Sequence, residues 1–268
     1  MELKGAHVLI TGASRGIGAA LAREFARADA TVSLTARSAE ALEELAAELG
    51  GTAFPADLMD STAVDSLVER VEAKCGPIDV LVNNAGVEGH GWIHEAEAGI
   101  LRNVVRLNLE TPIVLTRNVL PGMIQRGTGH IVMISSLAGT GGFPGLSAYG
   151  ATKAGLTNFA AAIALELVGT GVNTTVAAPG PVDTDMWDHI EEDTEVQPVI
   201  DRLNRIHLLP KKSPELVAEK TVAAVLADRR NVRLPRRLIS NHWLREMPTR
   251  LTGALIRGVP VGPAASKS

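Results

Sequence analysis

Tyr149 and Lys153 stand four residues apart in a stretch that reads as a helix, Tyr149 to Val168, so their side chains share one helix face. A phenol titrates at about pH 10, too high for proton transfer at neutral pH. A nearby ammonium favours the phenolate and lowers that value, so Tyr149 is predicted to give a proton to a carbonyl oxygen or take one from an alcohol. Ser136 lies thirteen residues before Tyr149 at the end of an apolar run and offers its hydroxyl to the same oxygen. Its neighbour Ser135 is the competing candidate.

A second piece of chemistry precedes these residues. Thr11 to Gly18 reads TGASRGIG, with Gly12, Gly16 and Gly18 spaced around Ser14, Arg15 and Ile17. Glycines there permit a tight turn and a close approach of phosphate to the backbone, and a helix that follows adds free N–H groups and a positive dipole end. The spacing is G-x-x-x-G-x-G and not G-x-G-x-x-G. Alone, such a turn is weak evidence. A Tyr–Lys helix pair, a serine at a strand end and an asparagine in a helix are each commonplace. Their order along one chain is what makes them specific.

The elements that must hold these groups alternate. His7 to Ile10, Thr31 to Leu34, Thr52 to Phe54, Ile78 to Val82, His130 to Ile134 and Val172 to Ala177 read as strands. Ile17 to Ala28, Ala39 to Leu49, Ala63 to Lys74, a long stretch of about Leu101 to Arg126, and the Tyr149 segment carry helical spacing. The strands are continuous apolar runs, the mark of a parallel sheet covered on both faces. The fold class predicted is α/β: a doubly wound parallel sheet, or Rossmann fold, binding ligands at the carboxyl ends of its strands. Residues 1–235 form the catalytic domain and 236–268 a C-terminal extension. The polar stretch Asp183 to Pro210 is expected to sit over the carboxyl edge as a lid.

Composition sets the bounds. The chain has 268 residues, 46% apolar and 21% charged, with 3% aromatics, so the core must be aliphatic. Cys75 is the single cysteine, which excludes an intrachain disulfide and a cysteine-rich zinc site. No apolar run approaches the ~20 residues of a membrane span, and Thr11-Gly12 interrupts the first apolar run too early for a signal peptide. A soluble, cytoplasmic protein is expected. The net charge of −4 conceals nine basic residues against one acid from Arg229 onward, on an otherwise acidic chain. An acidic body does not suit nucleic acid.

Taken together, these motifs resemble the short-chain dehydrogenase/reductase family, in its non-extended branch. The resemblance rests on Thr11 to Gly18, Asn83-Asn84-Ala85-Gly86, Asn108, Ser136, Tyr149-Gly150-Ala151-Thr152-Lys153 and Pro179-Gly180-Pro181-Val182-Asp183-Thr184, and covers about residues 5–235. It implies a nicotinamide cofactor and a catalytic set of Asn108, Ser136, Tyr149 and Lys153. By the same resemblance Lys153 holds the nicotinamide ribose, and Asn108 places a relay water between Lys153 and solvent. Gly12, Ser14, Arg15, Gly16, Ile17 and Gly18 would cradle the cofactor. Asp57 and Leu58 would meet the adenine, and Asn83, Ala85 and Gly86 would line the adenosine side. Pro179, Gly180, Val182 and Thr184 would face the carboxamide and pyrophosphate. The family also implies a homotetramer or homodimer.

Cofactor choice is read after the second strand, where an acid would serve the ribose 2′-hydroxyl of NAD. The sequence there is Thr35-Ala36-Arg37-Ser38, without a carboxylate. Arg37, beside Ser38, and Arg15 suit a 2′-phosphate, so NADP is expected over NAD. The loop Leu137 to Leu146 is glycine-rich and apolar, and the lid adds Met186, Trp187, Ile190, Val199 and Leu203. His90, Trp92 and His94 are placed at the rim. A hydrophobic ketone, aldehyde or secondary alcohol fits, although the same side chains would serve equally to pack the lid. His90 and His94 lack companions for a metal, and none is expected.

The function expected is an NADP(H)-dependent oxidoreductase interconverting carbonyl and alcohol. The alternative is a cofactor-binding regulatory or scaffold protein on the same fold. In the extension, Trp243, Met247, Leu251, Leu255 and Val259 recur every four residues, with Pro248 interrupting. Two readings stay open: packing on the body or a neighbouring subunit, which the acidic body favours, and a basic amphipathic segment at a membrane surface.

Overall fold

The computed structural model describes residues 1–192 and 210–235. Val199, Leu203, most of the expected lid and the whole 236–268 extension lie outside the described residues. Seven strands form one sheet: β1 (His7–Thr11), β2 (Thr31–Thr35), β3 (Thr52–Ala53), β4 (Val80–Asn83), β5 (Gly129–Ile134), β6 (Val172–Pro179) and β7 (Asn231–Leu234). Their spatial order is β3-β2-β1-β4-β5-β6-β7, and every pairing is parallel. The chain winds outward from β1 to β3, then returns to β4 on the other side of β1. That reversal opens a crevice at the carboxyl ends of β1 and β4, as expected of a doubly wound sheet.

The two sheet faces explain the continuous apolar strands. Val8 and Ile10 face one cluster, with Leu21 and Phe25 of α1 (Gly16–Arg27) and Leu42 and Leu45 of α2 (Ala39–Leu49). Ala218, Val222 and Val225 of the last described helix, α8 (Pro214–Leu226), complete that layer. Leu9, one residue along, faces the opposite cluster with α3 (Ser61–Cys75), α5 (Thr111–Arg126) and α6 (Ser147–Glu166). Both directions of the strand pleat are therefore buried.

One helix differs from the sequence reading. The stretch expected as a single helix from Leu101 to Arg126 is α4 (Ala98–Val105), a π turn over Arg106–Glu110, and α5. Pro112 has no N–H to offer the Asn108 carbonyl, so the regular i→i+4 ladder breaks there. The break turns Asn108 into the protein interior, where it is fully buried. Beyond β6, α7 (Asp185–Glu192) forms the first part of the expected lid. The chain returns at Lys212, which is pinned to Pro181 and Asp183 by main-chain hydrogen bonds of 2.9 and 2.8 Å.

Candidate active site

A cleft of about 1630 Å³ opens over the carboxyl ends of the strands. Its floor is the glycine turn. Gly12 has a φ of +64° and lies so near β4 that a Cβ on it would stand 2.8 Å from Ala85 Cα; a Cβ on Gly18 would collide with the Gly12 carbonyl. Side chains are excluded from both positions, because the loop after β4 and the turn itself fill the space a Cβ would take. No side chain caps α1 at Arg15, whereas Asp60 caps α3 and Ser213 caps α8. The first N–H groups of α1 therefore stay available to an anion. A pyrophosphate-bearing cofactor fits this floor.

Asn84 ties the floor to β4. Its amide donates to the carbonyls of Thr11 at 2.9 Å and Gly12 at 3.1 Å, while Thr11 Oγ1 accepts from the N–H of Asn84 and of Ala85, each at 3.0 Å. Sequence reasoning missed this role, although Asn84 stands in the quoted Asn-Asn-Ala-Gly run. Asn83 requires a correction. Expected to line the adenosine side, its side chain is instead buried toward α5 and β5, donating to Thr116 Oγ1 at 3.1 Å. Strand alternation explains this, since consecutive residues face opposite sides. Ser14, Arg15, Gly16, Ile17, Arg37, Ser38, Asp57, Leu58, Ala85, Gly86, Pro179, Gly180, Val182 and Thr184 all line the cleft, with Gly12 and Gly18.

The far end of the cleft carries Ser136, Tyr149 and Lys153. The two adjacent serines differ in their partners. Ser135 is buried, its hydroxyl bonded to the Lys153 carbonyl at 2.9 Å and to Thr157 Oγ1 at 2.7 Å. Ser136 accepts from the Ala138 N–H at 3.1 Å, which orients its oxygen, and it hydrogen-bonds Tyr149. Lys153 is buried, and its ammonium donates to the Ile134 carbonyl at 2.9 Å. It lies 5.7 Å from the centre of the Tyr149 ring.

The electrostatics correct a second expectation. The i, i+4 spacing predicts a Tyr149 value below that of an ordinary phenol because of Lys153. It lies above that value: burial raises it most, the Ser136 hydrogen bond pulls it down, and the Glu88 carboxylate adds to the rise. Burial also lowers Lys153, to about 8. In each case burial disfavours the charged form.

Asn108 is not in the cleft wall. Its Oδ1 accepts from the Val87 N–H at 2.8 Å, its Nδ2 donates to the Val87 carbonyl at 2.8 Å, and Thr152 Oγ1 lies 3.4 Å from Nδ2. The side chain thereby clamps the loop after β4 against α6, behind Gly86 and Lys153.

On the remaining side, Phe143, Leu146, Met186, Trp187 and Ile190 line the wall. His90, Trp92 and His94 do not, which corrects their placement at the rim; His94 faces solvent beside Glu95. Glu88 does line it and meets His189 of α7 at 3.1 Å. Across the cleft mouth Arg15 Nη1 meets Asp185 Oδ2 at 2.6 Å. Among the described residues there is no metal-holding group of acids, histidines and cysteine, and no helix long and apolar enough to cross a membrane.

These features agree with a family model described as short chain dehydrogenase, which matches residues 6–195. The chain belongs to the short-chain dehydrogenase family. It is an oxidoreductase of that type, a family that binds nicotinamide cofactors. Ketoacyl reductase HetN of Nostoc sp. is 42% identical over 185 residues, 67% of this chain; the match spans 64% of that relative, less than two thirds of its length. The 3-oxoacyl-[acyl-carrier-protein] reductase FabG of Escherichia coli is 33% identical over 72% of this chain and 80% of its own. A solved short-chain dehydrogenase from Streptomyces avermitilis superposes with a TM-score of 0.78 at 30% identity, covering 96% of this chain and 98% of its own. A variant of actinorhodin polyketide ketoreductase with NADPH gives 0.77 at 31% identity, over 86% and 95%.

Proposed function

We propose that this short-chain dehydrogenase is an NADP(H)-dependent carbonyl reductase acting on an apolar ketone or aldehyde, with Tyr149 as the proton donor. The observation that carries the reading is the convergence of Ser136, Tyr149 and Lys153 at one end of a cleft whose other end is a bare glycine floor. The cofactor, when bound, supplies hydride. Ser136 and Tyr149 hold the substrate carbonyl oxygen by hydrogen bonds. Tyr149, kept protonated by its surroundings, gives its phenolic proton to that oxygen as negative charge develops there. The Lys153 ammonium, fixed on the Ile134 carbonyl, offsets the charge left on the phenol. Asn108 keeps the loop carrying Gly86 and Val87 in place beside Lys153.

NADP is favoured by Arg37, which pairs with no acid among the described residues, and by the absence of an acid at Thr35–Ser38. The NADPH in the similar ketoreductase points the same way. The apolar wall of Phe143, Leu146, Trp187 and Ile190 favours a hydrophobic substrate. Homo-oligomerisation, as a tetramer or dimer, is supported by the exposed Val105 and Val168. Gly155, one of the small residues on α6, is used within the chain instead, against Leu109.

A panel of ketones, aldehydes and alcohols assayed by the near-ultraviolet absorbance of the cofactor tests the reading, with the Tyr149→Phe variant alongside. Turnover by the wild type that falls by about 10²–10⁴ in Tyr149→Phe, with cofactor binding retained, is the expected result. Binding of NADPH with no turnover of any member would favour the regulatory alternative.

A further inference from the structure

Arg15 and Asp185 face each other from the two walls of the cofactor groove. Arg15 precedes the first turn of α1, and Asp185 opens α7. Their contact is 2.6 Å, with both side chains largely in solvent. The other charged groups of this roof have partners elsewhere. Lys211 holds Asp183, Asp188 and Glu191 at 3.6, 3.3 and 3.0 Å, and His189 meets Glu88 at 3.1 Å. Among the described acids, Asp185 alone reaches the glycine turn. It sits in the first turn of a helix, where the backbone dipole favours an anion.

Three guanidinium groups line the cleft, and Arg23 is held by Glu48 at 2.8 and 2.7 Å, which leaves Arg15 and Arg37 where a phosphate on the adenosine ribose is expected. Arg37 has no ionic partner among the described residues, whereas Arg15 is already engaged by a carboxylate of its own chain.

We propose that Asp185 is a cofactor-specificity residue: it occupies the Arg15 guanidinium in place of the ribose phosphate, so NADP(H) binds by exchanging Asp185 for that phosphate, whereas NAD(H) leaves the pair intact. The inference rests on the NADP reading above. A phosphate carries more charge than a carboxylate and takes the guanidinium fork in bidentate fashion, so the exchange runs toward the cofactor. Asp185 subtracts from the affinity for the phosphorylated cofactor and leaves the affinity for the other unchanged. After the exchange, α7 keeps its ties to Lys211 and Glu88 and loses the one to the glycine turn.

Titration of the full chain with NADPH and with NADH, separately, tests this in wild type, Asp185→Asn, Asp188→Asn, Arg15→Ala and the Arg15→Ala/Asp185→Asn double variant. Exposed pairs are weak, so Asp185→Asn is expected to tighten NADPH by about two- to fivefold, with NADH unchanged. The gain should vanish in the Arg15→Ala background. Asp188→Asn removes an equal charge from the same helix, but from Lys211, and should leave the NADPH-to-NADH ratio unaltered. Equal weakening of both cofactors by Asp185→Asn would make the pair a clasp over any dinucleotide and overturn the proposal. An equal change of the ratio in Asp188→Asn would reduce the effect to bulk charge and overturn it as well. Failure of the NADP reading looks different: Arg15→Ala would leave the wild-type ratio where it was.

Discussion

The Ser135 hydroxyl bonds the main-chain carbonyl of Lys153 at 2.9 Å, so the end of β5 is fastened to the helix that carries both Tyr149 and Lys153. The next residue, Ser136, turns its hydroxyl to the cleft instead. Of the two adjacent serines, one fastens the helix and the other lines the cleft. Ser135→Ala is expected to lower unfolding free energy by about 1–3 kcal/mol, because Thr157 and the carbonyl lose a buried partner, with kcat changed far less than by Ser136→Ala. Ser136→Ala should lower kcat by about 10²-fold with little effect on denaturant midpoint. Chemical denaturation and steady-state kinetics on both variants separate the two roles.

The raised Tyr149 value fixes the sense of the pH dependence. In the proposed mechanism reduction needs the phenol protonated and Lys153 charged, so its rate should hold through neutral pH, decline as Lys153 loses its proton at about 8, and fall further as the phenol ionises. Oxidation needs the phenolate, so its rate should climb with pH over the same range. Glu88→Gln, by removing a carboxylate that favours the protonated phenol, should move both profiles to lower pH. Parallel pH–rate profiles in the two directions check the sign.

His130 is fully buried on β5, bonded through Nε2 to Thr175 Oγ1 at 2.8 Å, and burial lowers its value to about 4. In the unfolded chain it takes up a proton at about pH 6.5. Between those values the unfolded state holds more protons, so stability is full above pH 6.5 and is lost as pH falls toward 4. The contribution is about 3 kcal/mol across the window. A His130→Gln variant should flatten that part of a stability-against-pH curve, whatever its midpoint at neutral pH.

Asn108→Ala removes both hydrogen bonds to Val87 and should cost about 1–3 kcal/mol of stability. It should also raise KM for the cofactor, since the loop it clamps carries Gly86 at the cleft wall. Thermal unfolding together with cofactor titration checks both effects.

Arg37→Asp is expected to shift kcat/KM from NADPH toward NADH, because a carboxylate would repel the phosphate and accept from the ribose hydroxyl. Measured ratios for the two cofactors decide this.

Much of the architecture is legible in the sequence because it rests on strong local signals. Apolar strands such as His7–Thr11, buried on both sides, and the glycine turn at Gly12 admit few alternatives. The Asn108 break is not legible as a π turn, since helical periodicity runs on through it; Pro112, four residues later, is the available signal. Asn83 and Asn84 are the same residue type side by side, and only strand phase distinguishes the one in the core from the one in the site. The Tyr149 value cannot come from spacing. Spacing gives the neighbour at i+4, whereas burial depends on everything packed above it.

The layer built by Leu21, Phe25, Val222 and Val225 joins the first helix of the chain to its last described one, with some two hundred residues of sequence between them. During synthesis the inner face of α1 leaves the ribosome long before α8 exists to cover it. The nucleotide floor, which α1 begins, is thus flanked by a seam that closes late. Ribosome-bound chains halted before Pro214 should carry that face uncovered, and chaperone capture or protease nicking of such chains should end once α8 has emerged.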